Sequence, residues 1–162
     1  MKIFHRKSNK GTSEVREINQ KVDPLRELCG PDDGMYGALS QFLLLDPRHQ
    51  VEQLGGFAKL WEEGSSAMQR GNKLQARVSF ETAARIALYD QDRASLKKSL
   101  ESAEQASENE INHRLHQTLL SNLDKALKIT GAYYNRLFKP NLDDSREKTE
   151  KSLKPSIASV GK

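Results

Sequence analysis

Histidine, cysteine and paired carboxylates are the residues in this chain best suited to chemistry, and each has a plainer use here. His113 and His116 stand three apart, which puts both on one face of a helix, a spacing that suits a metal. No Cys or paired acids stand nearby to complete a coordination shell, so a solvated or half-buried pair is the better reading. Cys29 is the one cysteine. A single thiol closes no intramolecular disulfide and builds no zinc site alone. With no His near it in sequence, Cys29 reads as a small buried hydrophobe. Carboxylates pair at Glu62-Glu63 and at Glu108 and Glu110, but no pattern places them in a cleft that would perturb them. The stretch "GSSAMQRGNK" (64–73) has the glycines and lysine of a phosphate loop. Its Gly–Gly interval is too long, no Ser or Thr follows the Lys, and no strand precedes it. No catalytic residue, cofactor site or metal site is therefore expected.

Basic residues offer a second kind of chemistry. Arg70, Lys73, Arg77 and Arg85 cluster around a glycine-asparagine turn and could meet phosphates or an acidic peptide. Glu62, Glu63 and Glu81 are close enough to neutralise them, which favours a solvated, salt-bridged face. The 162-residue chain carries a net charge of +4. Residues 1–22 contribute +4, residues 23–90 contribute −3, residues 91–137 contribute +1 and residues 138–162 contribute +2. The excess lies at the ends, whereas a nucleic-acid-binding domain usually carries it on a folded face. The head, "KIFHRK", could touch an anionic membrane surface but is short for that task. The longest apolar run, "FLLL", is far below the roughly 20 residues that span a bilayer. "MKIFHRKSNKG" lacks the apolar region of a secretory signal. A reducing, cytoplasmic setting fits the lone thiol.

Helices must position these residues, since no convincing strand alternation occurs. Val15, Ile18, Val22, Leu25 and Cys29 form a short seam broken at Pro24, with Asp23 as cap. "GPDDG" interrupts the chain. A helix from about Asp33 to Leu45 follows, with Met35, Leu39, Phe42 and Leu45 on one face and Leu43 and Leu44 elsewhere on the cylinder. Such a helix is apolar on most sides and belongs in the centre of the core. Asp46-Pro47 starts another, with Val51 and Leu54 inward, and Gly55-Gly56 stops it. Helices over Phe57–Arg70 and Lys73–Tyr89 flank a turn at Gly71-Asn72, and a shorter one covers about Arg93 to Gln105. Ser107 and Glu110 have capping-box form and open a long helix of about 108–138. Ile111, Leu115, Leu119, Leu123 and Leu127 form its stripe, Gly131 bends or weakens its end, and Lys139-Pro140 terminates it. The expected organisation is a disordered basic head (1–12), an all-α antiparallel bundle (13–139) and a disordered tail (140–162).

Small residues in 60–85 have their own rhythm: Gly64, Ala67, Gly71, Ala76, Phe80 and Ala83. Glycine inside a helix costs up to about 1 kcal/mol relative to alanine, so Gly64 needs a compensating reason. Close approach of two antiparallel helices supplies one. These six positions resemble the signature of one tetratricopeptide repeat, a helical hairpin of roughly 34 residues, here over 57–90. Leu60 stands where that family often has Trp, Ala67 where Tyr is usual, and no Pro closes the unit near Leu88. No second full copy is visible, so flanking helices would serve as neighbours. Microtubule-interacting-and-transport domains, three-helix bundles with a similar first hairpin, compete for the same residues. The repeat resemblance implies a groove that binds a protein or peptide, lined by the first helix of the hairpin. By spacing, its residues are Ala58, Trp61, Ser65, Met68 and Gln69, with Arg70, Lys73 and Arg77 beside them. Trp61, the sole tryptophan, is either a core residue or the anchor of that groove. The expected function is a non-catalytic interaction adaptor or assembly component. The alternative is a nucleic-acid-associated protein using the basic ends and the Arg70/Lys73/Arg77 patch.

Overall fold

The structure, a computed structural model, describes residues 23–138. The expectations for the head, for the part of the seam at Val15, Ile18 and Val22, and for the tail lie outside the described residues. Within them the chain is all-α, an antiparallel bundle of eight helices with no strand. In order these are α1 (Pro24–Cys29), α2 (Asp33–Phe42), α3 (Pro47–Leu54), α4 (Gly56–Gln69), α5 (Lys73–Asp90), α6 (Arg93–Ala106), α7 (Glu110–Leu120) and α8 (Leu123–Phe138).

Local chemistry sets most boundaries. The Asp23 carboxylate accepts from the Leu25 amide ahead of Pro24, and Asp32 accepts from the Met35 amide. Gly55 ends α3 in the left-handed region, where glycine carries no Cβ penalty. The turns on either side of α5 share one design. At the first, Gly71 has a φ of +74° and the Asn72 amide reaches back to the Ala67 carbonyl, while the Asn72 side chain caps α5 by accepting from Gln75. At the second, Gln91 has a φ of +59° and the Asp92 amide reaches the Ala87 carbonyl, while Asp92 caps α6 through Ala94 and Ser95. Gln91 is the one non-glycine residue with positive φ among the described residues, and its carboxamide is held by the Leu88 carbonyl and the Thr130 hydroxyl.

Several sequence expectations are corrected. The long helix of about 108–138 is two helices broken at Ser121-Asn122. The Asn122 side-chain amide donates to the Thr118 carbonyl there, a local bond that competes with regular helix. The two halves serve different neighbours, α7 packing on α2 and α6, α8 mainly on α1 and α5. The cap of α7 is Asn109, which accepts from the Ile111 amide. Ser107 instead ends α6, its hydroxyl donating to the Ala103 carbonyl. Ile111 faces solvent rather than the stripe. Gly131 lies inside α8, which continues to Phe138; a Cβ there would lie 3.0 Å from the Gln91 side-chain oxygen. Finally, α2 stops at Phe42, so Leu45 is 87% exposed and Leu44 takes the buried place. The Leu44 amide donates to the Tyr134 hydroxyl at 2.8 Å, which fixes that exchange.

The main core gathers Leu25 and Cys29 of α1, Met35, Leu39 and Phe42 of α2, Leu88 of α5, Leu96 and Leu100 of α6, Leu119 of α7 and Leu123 and Ile129 of α8. A second cluster sits where α4, α5 and α6 meet: Ala67, Ala76, Phe80, Ala103 and Ala106. A third joins Leu44, Leu60, Ala83 and Ile86 under α3. The spacing in 60–85 has a direct physical answer. Gly64, Ala67, Ala76 and Ala83 are all buried between α4 and neighbouring helices. A Cβ on Gly64 would lie 2.7 Å from the Phe80 ring, closer than real Cβ atoms come to anything.

Candidate partner-binding groove

Helix α5 is the middle of a layer, with α4 on one side and α6 on the other. The small residues that let α4 and α6 approach α5 leave a groove between the outer pair, with Phe80 of α5 at its floor. Trp61, Ser65, Met68 and Gln69 of α4 form one wall, and Ser102 and Gln105 of α6 form the other. The open volume is about 230 Å³. Trp61 stands in a ladder of rings. It stacks on Phe57 at 6.0 Å and 13° between planes, and leans on Phe80 at 5.1 Å and 49°. The Lys98 ammonium of α6 lies 3.8 Å from the centre of the Trp61 ring. Trp61 is half-buried, so it packs on the core with one part and lines the groove with another. The Ser65 hydroxyl donates back to the Trp61 carbonyl, which holds Ser65 against its own helix.

Of the residues placed on this surface by spacing, four share the groove and the other four do not. Ala58 is exposed on α4 and does not line it. Arg70 opens instead into a polar cleft with Lys59, Glu62, Glu63, Ser66 and Gln75. Lys73 pairs with Glu108 at 3.1 Å, and Arg77 with Glu81 at 2.8 Å. The basic set is thus largely matched by acids, though the partner of Lys73 comes from beyond α6 rather than from the hairpin. The second wall, Ser102 and Gln105, and the neighbouring Lys98 carry no local signal in the sequence.

Other candidate chemistry resolves into structure. His113 and His116 diverge. His113 lies 3.9 Å from Glu104, while His116 is fully buried with Nε2 3.0 Å from Glu81 and Nδ1 3.5 Å from the Ser107 hydroxyl. Burial alone would raise the Glu81 carboxyl, but hydrogen bonds donated by His116 and Arg77, with the Arg77 charge, outweigh it and hold the group below its ordinary value. Three helices meet in this polar knot: Arg77 and Glu81 on α5, the end of α6 at Ser107, and His116 on α7. A cleft of about 190 Å³ lined by Leu74, Arg77, Ala106, Glu108, Asn109 and Asn112 lies beside the knot, but Ser107 and His116 are buried and do not line it. Cys29 is buried, and desolvation pushes its thiol up. Glu62, Glu63, Glu108 and Glu110 are exposed. No group of three or more His, Cys, Asp or Glu among the described residues is arranged to hold a metal, and no helix there is long and apolar enough to cross a membrane. No protein-family model matches the chain, and no curated protein or solved structure is found to be similar to it.

Proposed function

We propose that this chain is a non-catalytic helical interaction module whose α4/α6 groove takes an apolar segment of a protein partner. The carrying observation is the convergence of Trp61, Ser65, Met68 and Gln69 with Ser102 and Gln105 around Phe80. Large aromatic side chains at the centre of a concave, partly apolar surface dominate binding energies where such surfaces bind. The tetratricopeptide-like reading of 57–90 belongs to the same proposal. It is supported by the burial of Gly64, Ala67, Ala76 and Ala83 and by a following helix, α6, that supplies the second wall. A cytoplasmic setting is part of it, resting on the lone buried thiol. The basic patch gives the nucleic-acid reading little support, because Lys73 and Arg77 already have carboxylate partners.

The test is a selection from a random peptide display library on the whole chain. Enriched peptides are expected to carry apolar anchors, to change the fluorescence of the single tryptophan, and to lose binding when Ser102→Trp fills the groove or Met68→Glu charges its wall. Both positions are partly exposed, so both variants are expected to retain the wild-type circular dichroism. Peptides that bind both variants as they bind the wild type would sink the reading.

A further inference from the structure

The groove has an electrostatic bias that selects among partners. Its lining contains no carboxylate: Trp61, Ser65, Met68, Gln69, Phe80, Ser102 and Gln105 are all uncharged. The formal charge at its rim is Lys98, poised over the Trp61 ring. Elsewhere on the same two helices, lysines are matched. Lys97 pairs with Glu101 at 3.7 Å, and Lys59 with Glu63 at 3.9 Å. Lys98 has no carboxylate partner among the described residues; the aromatic face is what it touches. An ammonium on a ring keeps its full charge and loses part of its hydration. A carboxylate arriving beside the apolar floor would meet that charge in a medium less screening than water. A cationic segment would be repelled, since Lys98 already covers the Trp61 face.

We propose, building on the groove reading above, that the preferred occupant is a partner segment with an Asp or Glu next to a large apolar residue, and that Lys98 is the residue that reads the acid. A single cation with no carboxylate partner among the described residues suits one carboxylate on a peptide; a phosphate backbone would need a row of cations, which the described lining of the groove does not have.

The test runs the random-library selection in parallel on wild type, Lys98→Met and Lys98→Glu. Lys98→Met keeps a stem over the ring without the charge, and the position is exposed, so the fold is expected to survive. The wild type should enrich an acid beside the apolar anchor. Lys98→Met should keep the anchor and lose the acid, and Lys98→Glu should replace the acid with Lys or Arg. A synthetic copy of the leading wild-type peptide, followed by Trp61 fluorescence, should bind Lys98→Met about tenfold more weakly, the gap narrowing as salt is raised. Apolar anchors without acid enrichment, or acid enrichment that persists in Lys98→Met, would overturn this inference and leave the groove standing. Peptides indifferent to Ser102→Trp and Met68→Glu would overturn the groove and this inference with it.

Discussion

Gly64 separates two effects that normally act together. In an exposed helix, replacing glycine by alanine gains up to about 1 kcal/mol, because alanine loses less backbone entropy on folding. At position 64 the added methyl would lie 2.7 Å from the Phe80 ring, which is itself pinned by Trp61. Overpacking costs roughly 1–3 kcal/mol, so Gly64→Ala is expected to lower the urea midpoint where propensity alone would raise it. Glu81 makes a prediction of another kind. Its folded-state carboxyl is held below its ordinary value of about 4.3. A depressed carboxyl contributes stability that is present above the unfolded value and is lost as pH falls through the folded one. Glu81→Gln should therefore cost about 1–3 kcal/mol at neutral pH, because the amide keeps an acceptor oxygen but gives up the negative charge that strengthens the bonds from Arg77 and His116. Chemical denaturation from pH 7 down to pH 3 should show wild type and variant converging. A constant gap across that range would mean that the carboxylate contributes nothing through its charge.

Elements in this fold are joined by a few long-range polar bonds, and α8 shows how much one of them can matter. The Tyr134 hydroxyl accepts from the Leu44 amide at 2.8 Å, and Tyr134 also stacks on Phe138 and meets Tyr89 edge to face. Burial pushes this hydroxyl up to about 12, with the Leu44 amide pulling the other way. Stability from a raised group is fully present below the unfolded value, about 10, and is lost as pH rises toward the folded one. Tyr134→Phe should cost about 1–2 kcal/mol near neutrality, since it strands a buried amide, and should flatten the loss of stability between pH 9 and 11. Thermal melts of the pair across that range decide it. The same bond explains why sequence placed Leu45 inside: periodicity sees three consecutive leucines, but a tyrosine 90 residues away chooses among them. The α7–α8 break was equally hidden, because apolar spacing runs through Ser121-Asn122 without interruption. The α4–α5 hairpin was legible because its rule is local, small residues facing small residues across a short turn. The α4 side of the groove came from the resemblance to a tetratricopeptide hairpin, which assigns Trp61, Ser65, Met68 and Gln69 to one surface. Ser102 and Gln105, with Lys98 beside them, come to face α4 only through the turn at Gln91-Asp92, whose left-handed residue is not the usual glycine.

At the scale of the molecule, the groove layer and the main core share one helix. Ala76 and Phe80 of α5 belong to the cluster under the groove, while Ala84, Ala87 and Leu88 of the same helix belong to the large core. α6 is divided in the same way, with Leu96 and Leu100 in the large core and Ala103 and Ala106 under the groove. Neither cluster can lose its packing without unravelling a helix the other needs, so the folded part should unfold as one unit. Two probes read the two ends of that claim. Far-ultraviolet circular dichroism reports all eight helices, whereas fluorescence of the single tryptophan reports only the groove cluster. Their urea transitions should coincide in midpoint and slope. A tryptophan transition that precedes the loss of helix would make the groove a separately melting foldon. Its walls would then be ordered only at the cost of binding affinity, and a partner would have to assemble the site it occupies. Coincident transitions mean that the groove is already formed when a partner arrives.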